Sequence, residues 1–230
     1  AADHGASILQ CSYGYSSNDI SSDRMYEERS PLEHEALLYF MNQKNCPALD
    51  GGLIFYAAGN DGLPVSQYPG AYRDFISVTS IAPDYLPAYY TCYGPGCNVA
   101  APGGETAGQS GGEKAGVLST LCSEISGADY GYMQGTSMAC PHASGVAALG
   151  LSYALAKGKH YTREEFVSMY LTSVNDLECY LEGTKETGAV LNLEDYRGKM
   201  GTGLIDAYQL LMQIEGTPCL KVPTGSLQLI

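Results

Sequence analysis

The sequence is poor in positive charge, and charged residues of either sign are few. Its 230 residues contain 12 Lys and Arg against 25 Asp and Glu, which gives a formal net charge of −13, and charged residues make up 16% of the chain. This pattern argues against a nucleic-acid partner, because phosphate binding requires clustered basic side chains. An acidic surface is more typical of solubility than of one particular partner.

Long apolar runs and N-terminal targeting signals are also missing. The sequence has no run of about 18 apolar residues, and we therefore predict no membrane span. No starting methionine or signal peptide opens the chain, and residues 1–10 resemble the interior of a domain. We therefore expect a mature, processed or truncated piece of a longer protein.

The eight cysteines lack the paired C-x-x-C spacing of zinc knuckles, and we predict no metal site from them. Cys92 and Cys97 flank a short turn that would bring them within disulfide range, whereas Cys11 and Cys140 lie in apolar runs typical of buried thiols. No loop carries a convincing set of acidic calcium ligands, so we predict no cofactor, although structural calcium stays open. The abundance of cysteine favours a location outside the cytoplasm.

The apolar content of 45% is sufficient for one sizeable core. Short apolar runs predict buried strands at residues 6–12, 52–58, 75–80 and 97–101. Helical patterns are predicted at about 31–42, 136–156, 166–171 and 205–214, and residues 162–165 fit a capping box. Continuous apolar strands that alternate with helices predict an α/β domain whose largely parallel sheet is covered on both faces.

Three polar or glycine-rich stretches interrupt this pattern. Residues 16–33 are predicted as a surface excursion and residues 105–114 as a loop, and residues 175–199 are a polar insertion with no evident role. No linker divides the chain. We therefore predict one domain over residues 1–214, followed by a tail at 215–230.

The helix predicted from Thr136 begins with a serine in its first turn. Ser137 would lie beside unpaired backbone N–H groups and the positive end of the helix dipole, which suits an activated nucleophile with an anion-stabilising surround. Gly135 would admit a substrate backbone, and small residues at Ala139, Ala143 and Gly145 are expected to pack the helix against the sheet. The alternative is that Thr136 or Ser137 is an ordinary N-cap, which local chemistry alone favours.

The stretch 135–145, Gly-Thr-Ser-Met-Ala-Cys-Pro-His-Ala-Ser-Gly, resembles the active-site serine motif of subtilisin-like serine proteases, the subtilases or peptidase S8 family. The resemblance implies that Ser137 attacks a polypeptide substrate and that its backbone N–H helps to bind the oxyanion. It implies that His142 is a structural helix residue and not the catalytic base. It also implies a three-layer subtilisin-like fold with a mostly parallel sheet flanked by helices.

Further blocks follow in the order of that family, over residues from about 1 to 214. Ala57-Ala58-Gly59-Asn60 resembles the block whose asparagine donates to the oxyanion, although an Asn turn is the simpler local explanation. Ser12-Tyr13-Gly14 resembles the segment that pairs with extended substrate, with a plain strand end as its alternative. The residues assigned to substrate binding by this resemblance are Ser12, Tyr13, Gly14, Ala58, Gly59, Asp61 and Thr136. Asp61 would lie beside the primary pocket, which suggests a basic P1 side chain.

Two motifs of the family are missing from the sequence. In subtilisins the catalytic Asp and His both precede the serine, and neither an Asp-(Ser/Thr)-Gly nor a His-Gly-Thr-His pattern occurs here. His34 and His160 are expected to be exposed to solvent and not catalytic. We expect the N-terminal part of the domain to be missing, and the isolated chain to be inactive.

Such a truncation would leave an open sheet edge, which the missing part or a second copy of the chain would cover. The alternative function is a non-catalytic subtilase-like module that acts in binding or assembly. A third alternative is an α/β domain whose Gly-Thr-Ser helix start is fortuitous.

Overall fold

A computed structural model describes residues 1–15 and 19–217 of the chain. The strands are β1 (Ile8–Cys11), β2 (Leu49–Asp50), β3 (Leu53–Ala57), β4 (Ile76–Ile81), β5 (Val99–Pro102), β6 (Val117–Thr120), β7 (Tyr130–Met133), β8 (Tyr161–Thr162), β9 (Val174–Asn175), β10 (Thr184–Glu186), β11 (Val190–Asn192) and β12 (Leu204–Ile205). The α-helices are α1 (Asp23–Arg29), α2 (Pro31–Met41), α3 (Ser123–Ser126), α4 (Thr136–Ala156), α5 (Arg163–Thr172) and α6 (Ala207–Glu215).

A six-stranded sheet in the order β1-β3-β4-β5-β12-β9 forms the centre of the fold. All neighbours pair in parallel except β9, which runs antiparallel to β12 at one edge. Every residue of β3 and β4 is buried, as expected for parallel strands with both faces covered. The four predicted strands and the α/β class are confirmed. Among the described strands, β1 pairs only with β3, which leaves its outer edge without a strand partner.

Helix α4 has the predicted bounds, and one side of it faces solvent although its sequence is apolar nearly all round. Its sheet-facing side is closed by Ala139 and Ala143, both fully buried, whereas Leu149 on another side is 48% exposed. Gly145 faces open space, and the glycine that permits close packing is instead Gly150, where an added Cβ would lie 2.6 Å from Leu210 of α6. The sequence did not predict which side of α4 is buried, because a helix that is apolar on all sides gives no sign of which face packs on the sheet.

The prediction that residues 16–33 are a surface excursion is wrong for part of that stretch, and the insertion at 175–199, for which the sequence indicated no role, is partly buried. Residues 16–18 lie outside the described residues, but α1 follows them, and its Tyr26 is fully buried against Tyr72 and Phe75. The insertion at 175–199 forms the hairpin β10–β11 and contributes to a second core. The buried residues that this insertion adds to that core are Leu177, Leu181, Leu191, Leu193 and Tyr196.

The capping box predicted at the start of α5 is present, with Thr162 and Glu165 each accepting from the other's backbone N–H. The seven cysteines in the described part of the chain are free thiols. The disulfide considered between Cys92 and Cys97 is therefore absent, and the Cys97 thiol lies 3.8 Å from the Cys92 carbonyl oxygen. Cys11 and Cys140 are buried, as predicted.

Helix α6 ends at Glu215, one residue beyond the predicted domain end, and residues 218–230 lie outside the described residues. The division into a domain and a tail therefore stays a prediction. Within residues 1–15 and 19–217, no helix combines the length and apolarity needed to cross a bilayer.

Candidate active site

The loop after β3 and the first turn of α4 are joined through one asparagine side chain. Asn60 Oδ1 accepts hydrogen bonds from the backbone N–H of Thr136 at 2.8 Å and from its hydroxyl at 2.9 Å. The Thr136 hydroxyl oxygen in turn accepts from the backbone N–H of Gly59 at 3.3 Å. Because the carbonyl end of the Asn60 amide is held in this way, its Nδ2 group is the end left to donate.

Gly135 marks the place where two hydrogen-bond donors meet. Its φ of 148° is a conformation that other residues rarely adopt, and an added Cβ would lie 3.6 Å from Asn60 Nδ2 and 3.6 Å from the backbone nitrogen of Ser137. Within the described residues, neither donor has a hydrogen-bond acceptor. Two N–H groups that border one space at a helix N-terminus are the arrangement that stabilises an oxyanion.

The Ser137 side chain is half-buried at the start of α4. Its hydroxyl donates to the backbone carbonyl of Ser12, at the end of β1, over a long 3.4 Å. The Ser12 hydroxyl donates in the reverse direction to the Ser137 carbonyl at 2.7 Å. The end of the first strand and the start of the helix are therefore in direct contact.

A cavity of about 220 Å³ opens in front of these groups. Its lining residues are Ser12, Tyr13, Gly14, Ala57, Gly59, Asn60, Asp61, Gln67, Thr136 and Ser137. The structure therefore brings together every predicted site residue except one. Ala58 is fully buried behind the cavity, where its N–H donates to the Val78 carbonyl and its carbonyl accepts from Gln67. Both of its backbone groups are occupied, so the placement of Ala58 contradicts the expectation that it touches substrate.

Gln67 and Ala57 line the cavity although they were not predicted as site residues. Gln67 Nε2 donates to Asp61 Oδ2 at 2.5 Å, and this contact holds the Asp61 carboxylate at the cavity edge. The sequence signal for Gln67 was its position directly before Tyr68-Pro69, a pair that resembles the subtilase segment near the primary specificity pocket. Ala57 ends a fully buried strand and is the first residue of the Ala57-Ala58-Gly59-Asn60 block, which was the signal for its position.

Tyr13, which lines the cavity, and Cys140, which is buried one turn beyond Ser137, are chemically quiet at neutral pH. Burial raises the pKa of the Cys140 thiol to about 12, so this cysteine, one turn beyond Ser137, stays protonated and is a poor nucleophile. Burial, opposed by a hydrogen bond with Tyr56 and helped by nearby Glu33, raises the pKa of Tyr13 to about 12. Tyr13 therefore remains a neutral hydroxyl, hydrogen-bonded to Tyr56 at 3.0 Å.

All four histidines of the sequence lie in the described residues, and none hydrogen bonds to the Ser137 hydroxyl. His142 is exposed on α4, where its Nδ1 donates to the Met138 carbonyl at 2.8 Å. The expectation that His34 is exposed is wrong, since its ring is half-buried between Tyr26 and Tyr72. His160 is exposed, as expected, and lies near Asp50.

No metal-binding cluster accompanies this cavity. Among residues 1–15 and 19–217, no group of three or more His, Cys, Asp or Glu side chains is arranged to hold a metal ion. The groups that do line the cavity include a serine hydroxyl beside two N–H donors.

Comparisons with known proteins agree on one family. A sequence model of the subtilase family (Peptidase_S8) matches residues 1–193. The halolysin of Haloferax mediterranei is 36% identical over 100 residues, which cover 44% of this chain and 17% of that protein. The extracellular basic protease of Dichelobacter nodosus is 32% identical over 161 residues, which cover 68% of this chain and 22% of that protein.

The structural comparison supports the fold. The prenylagaramide maturation protease PagA superposes with a TM-score of 0.64 at 20% identity, covering 94% of this chain and 64% of that one. The matched region spans only 17% and 22% of the two relatives above, so the present chain corresponds to a small part of each. On the family match and the shared α/β fold, we conclude that the chain belongs to the subtilase family of serine proteases.

Proposed function

We propose that Ser137 is the nucleophile of a serine endopeptidase and that Asn60 Nδ2 and the Ser137 N–H bind the oxyanion. The observation that carries this proposal is the approach of both donors to one point at Gly135, 3.6 Å from each. In this reaction the Ser137 oxygen attacks the scissile carbonyl, and the hydroxyl proton passes to a base. Collapse of the tetrahedral intermediate expels the amine, and water then hydrolyses the acyl-enzyme.

The substrate is proposed to lie along residues 12–14 as an added strand. These residues follow β1 directly and line the cavity together with Asn60 and Ser137. Asp61, at the cavity edge, gives this region negative charge, which would favour a basic P1 side chain. Parallel assays with peptides that differ only in Arg or Leu at P1 test this, and a strong preference for Leu would refute it.

The base and its acid partner are proposed to come from residues outside this chain. No histidine in the described residues hydrogen bonds to Ser137, and loss of the base costs about 10⁶-fold in turnover in a subtilisin. We therefore expect the 230-residue chain alone to be inactive. The partner that restores activity would be the rest of the catalytic domain, whereas a second copy of the chain would only cover the open sheet edge.

Two further expectations follow from the same proposal. The reaction uses no cofactor, because the serine and its donors supply the chemistry, and any calcium would be structural. The relative named as an extracellular basic protease supports a secreted location for this protein.

The direct test is covalent labelling of the complete protease with a fluorophosphonate, which reacts with activated serines. The wild type should be labelled at Ser137, and Ser137→Ala should not be labelled. Ser152→Ala, an exposed serine on the same helix, is the matched control and should label normally. Equal labelling of wild type and Ser137→Ala would overturn the assignment.

The second candidate is a non-catalytic binding or assembly module, which the lack of a histidine beside Ser137 favours. In that case the complete protein would bind an extended peptide but would show no labelling at Ser137. Labelling that depends on Ser137 would exclude this candidate.

A further inference from the structure

A proline lies inside the first turns of the nucleophile helix. In an α-helix the carbonyl of a residue accepts from the N–H four positions later, and for Ser137 that residue is Pro141, which has no N–H. The carbonyl of Ser137 therefore lacks its intrahelical donor. A partly buried carbonyl without a donor is costly, so a replacement is expected.

The replacement comes from the end of the first strand. The Ser12 hydroxyl lies 2.7 Å from the Ser137 carbonyl oxygen, a normal length for an O–H···O hydrogen bond. Gln10 Nε2 donates to the Ser12 hydroxyl oxygen at 2.5 Å. Because the Ser137 carbonyl oxygen can only accept, the proton of the Ser12 hydroxyl is directed toward it, and Gln10 supplies the donor to the Ser12 oxygen.

Two other contacts join the same strand to the same helix turn. The Ser137 hydroxyl donates to the Ser12 carbonyl, and the Cys140 thiol lies 3.9 Å from the Cys11 carbonyl oxygen. Together with the Ser12 hydroxyl bond, these contacts bring the strand end against one helical turn. Among these three contacts, only that of the Ser12 hydroxyl reaches the Ser137 carbonyl, which Pro141 leaves without an intrahelical donor.

We propose that Ser12 is a positioning residue. Its hydroxyl supplies the Ser137 carbonyl with the hydrogen bond that Pro141 cannot donate, and this bond fixes the helix turn that carries Ser137. Both the Ser137 hydroxyl and its backbone N–H belong to this turn, so a shift there misaligns the nucleophile and the oxyanion donor together. This role differs from substrate pairing, which uses the backbone of residues 12–14. The kinetic consequence rests on the proposed function, but the coupling between Ser12 and Pro141 does not.

A double-mutant cycle on the complete protein tests the coupling. The variants are Ser12→Ala, Pro141→Ala and the two combined, because the Pro141→Ala change restores an N–H that can satisfy the Ser137 carbonyl. We expect Ser12→Ala to slow acylation by roughly 10-fold, as for loss of one hydrogen bond worth about a factor of ten. KM should change by less than about 3-fold, because the interaction acts on the nucleophile.

In the Pro141→Ala background, Ser12→Ala should slow acylation by less than about 3-fold, since the carbonyl then has another donor. Ser12→Thr keeps the hydroxyl and should retain most of the activity. Ser152→Ala, on the same helix but outside the site, should show no coupling with Pro141→Ala. An equal loss from Ser12→Ala in both backgrounds, or a change in KM alone, would overturn the proposal.

Urea unfolding of the wild type, Ser12→Ala, Pro141→Ala and the double variant separates this proposal from the protease assignment. The drop in midpoint caused by Ser12→Ala should be at least halved when residue 141 is alanine, whether or not the protein hydrolyses peptides. A drop of equal size in both backgrounds refutes the coupling even if Ser137 is labelled. A reduced drop without labelling supports the coupling and refutes the proposed function.

Discussion

The polar stretches at 175–199 and 16–33 are anchored in different ways, the first through a buried ion pair and the second through neutral hydroxyls around a carboxylate. The ion-pair region is formed by Lys185, Glu105 and Asp84. The Lys185 side chain is 4% exposed and lies 3.0 Å from the fully buried Glu105 and 3.2 Å from Asp84. Its ammonium also donates to the Pro87 carbonyl at 3.0 Å.

The tyrosine region is formed by Glu33 and the three hydroxyls that donate to it. These come from Tyr15 at 2.8 Å and from Tyr13 and Tyr26 at 3.2 Å each. Glu33 is half-buried and has no cation among its hydrogen-bond partners in the described residues. Its carboxylate accepts from the three tyrosine hydroxyls.

Both the ion-pair region and the tyrosine region lie next to residues of the candidate site. Glu105 depends on a single cation, and Thr106 beside it donates its backbone N–H at 2.6 Å to Gln134, which directly precedes Gly135. Glu33 holds Tyr13, which lines the cavity. Loss of the buried cation should therefore be far more damaging than loss of any single donor around Glu33.

The largest effect is expected for Lys185→Met, which leaves Glu105 buried without a counter-charge. We expect a loss of about 3–5 kcal/mol in the free energy of unfolding, measured by urea titration of the complete protein. Lys114→Met, an exposed lysine without an ion pair in the described residues, is the control and should change stability by less than about 0.5 kcal/mol. Adding Glu105→Leu to Lys185→Met should recover much of the loss, and a single-variant loss below about 1 kcal/mol contradicts this description of the region.

The next effect is expected for Glu33→Gln, which offers the tyrosine hydroxyls one acceptor oxygen in place of a carboxylate. We expect the free energy of unfolding to fall by about 1–2 kcal/mol. Hydrogen bonds to a charged carboxylate become hydrogen bonds to a neutral amide oxygen, and one tyrosine hydroxyl faces an amide NH₂ that cannot accept. Glu35→Gln, on the same helix but exposed, is the matched control. A loss as large as that of Lys185→Met would remove the contrast between the two regions.

Alkaline pH should weaken the contact of Tyr72 with the neighbouring Tyr26 of the tyrosine region. Burial, followed by the hydrogen bond to Glu27, raises the pKa of Tyr72 to about 12 from the usual 10. The folded state therefore keeps this proton where the unfolded state loses it, so the contribution to stability is full below pH 10 and disappears as pH rises toward 12. Tyr72→Phe should flatten this part of the pH profile of urea midpoints, and an unchanged slope would contradict the assignment.

The smallest effect is expected for Arg73→Met at the border of the tyrosine region. Arg73 is 60% exposed and pairs with Asp23 at 2.9 Å and Glu27 at 3.0 Å. Exposed pairs of this kind contribute about 0–1 kcal/mol. The effect should shrink further in about 1 M salt, where the screening length is ~3 Å. A loss that exceeds that of Glu33→Gln, or one insensitive to salt, would show that this surface pair matters more than its exposure suggests.

The parts of the fold that the sequence predicted well are those whose signals are local. Apolar runs bounded by glycine predicted the central strands, and the capping box at Thr162 depends on residues three positions apart. The apolar pattern predicted the bounds of α4, and the serine motif placed Ser137 in its first turn, where its role as nucleophile stays a prediction. Asn60 was predicted only through resemblance, since an asparagine between glycine and aspartate is equally an ordinary turn.

The parts that the sequence did not predict depend on contacts between distant positions. Lys185 and Glu105 are 80 residues apart, and both lie in stretches whose polar or glycine-rich composition is typical of exposed loops. Tyr26 is likewise buried by residues more than 40 positions away. The role of the Ser12 hydroxyl also requires the structure, because the proline that creates the need for it lies in another element.

The most direct test of the central claim is the turnover of the Asn60→Ala variant in the complete protease. If Asn60 Nδ2 and the Ser137 N–H share the oxyanion, kcat should fall by about 10²–10³-fold while KM changes little, as found for loss of such a donor in a subtilisin. Asn42→Ala, at the end of α2 and away from the cavity, should leave kcat unchanged. An unchanged kcat in Asn60→Ala, or an effect confined to KM, would contradict the assignment of this site.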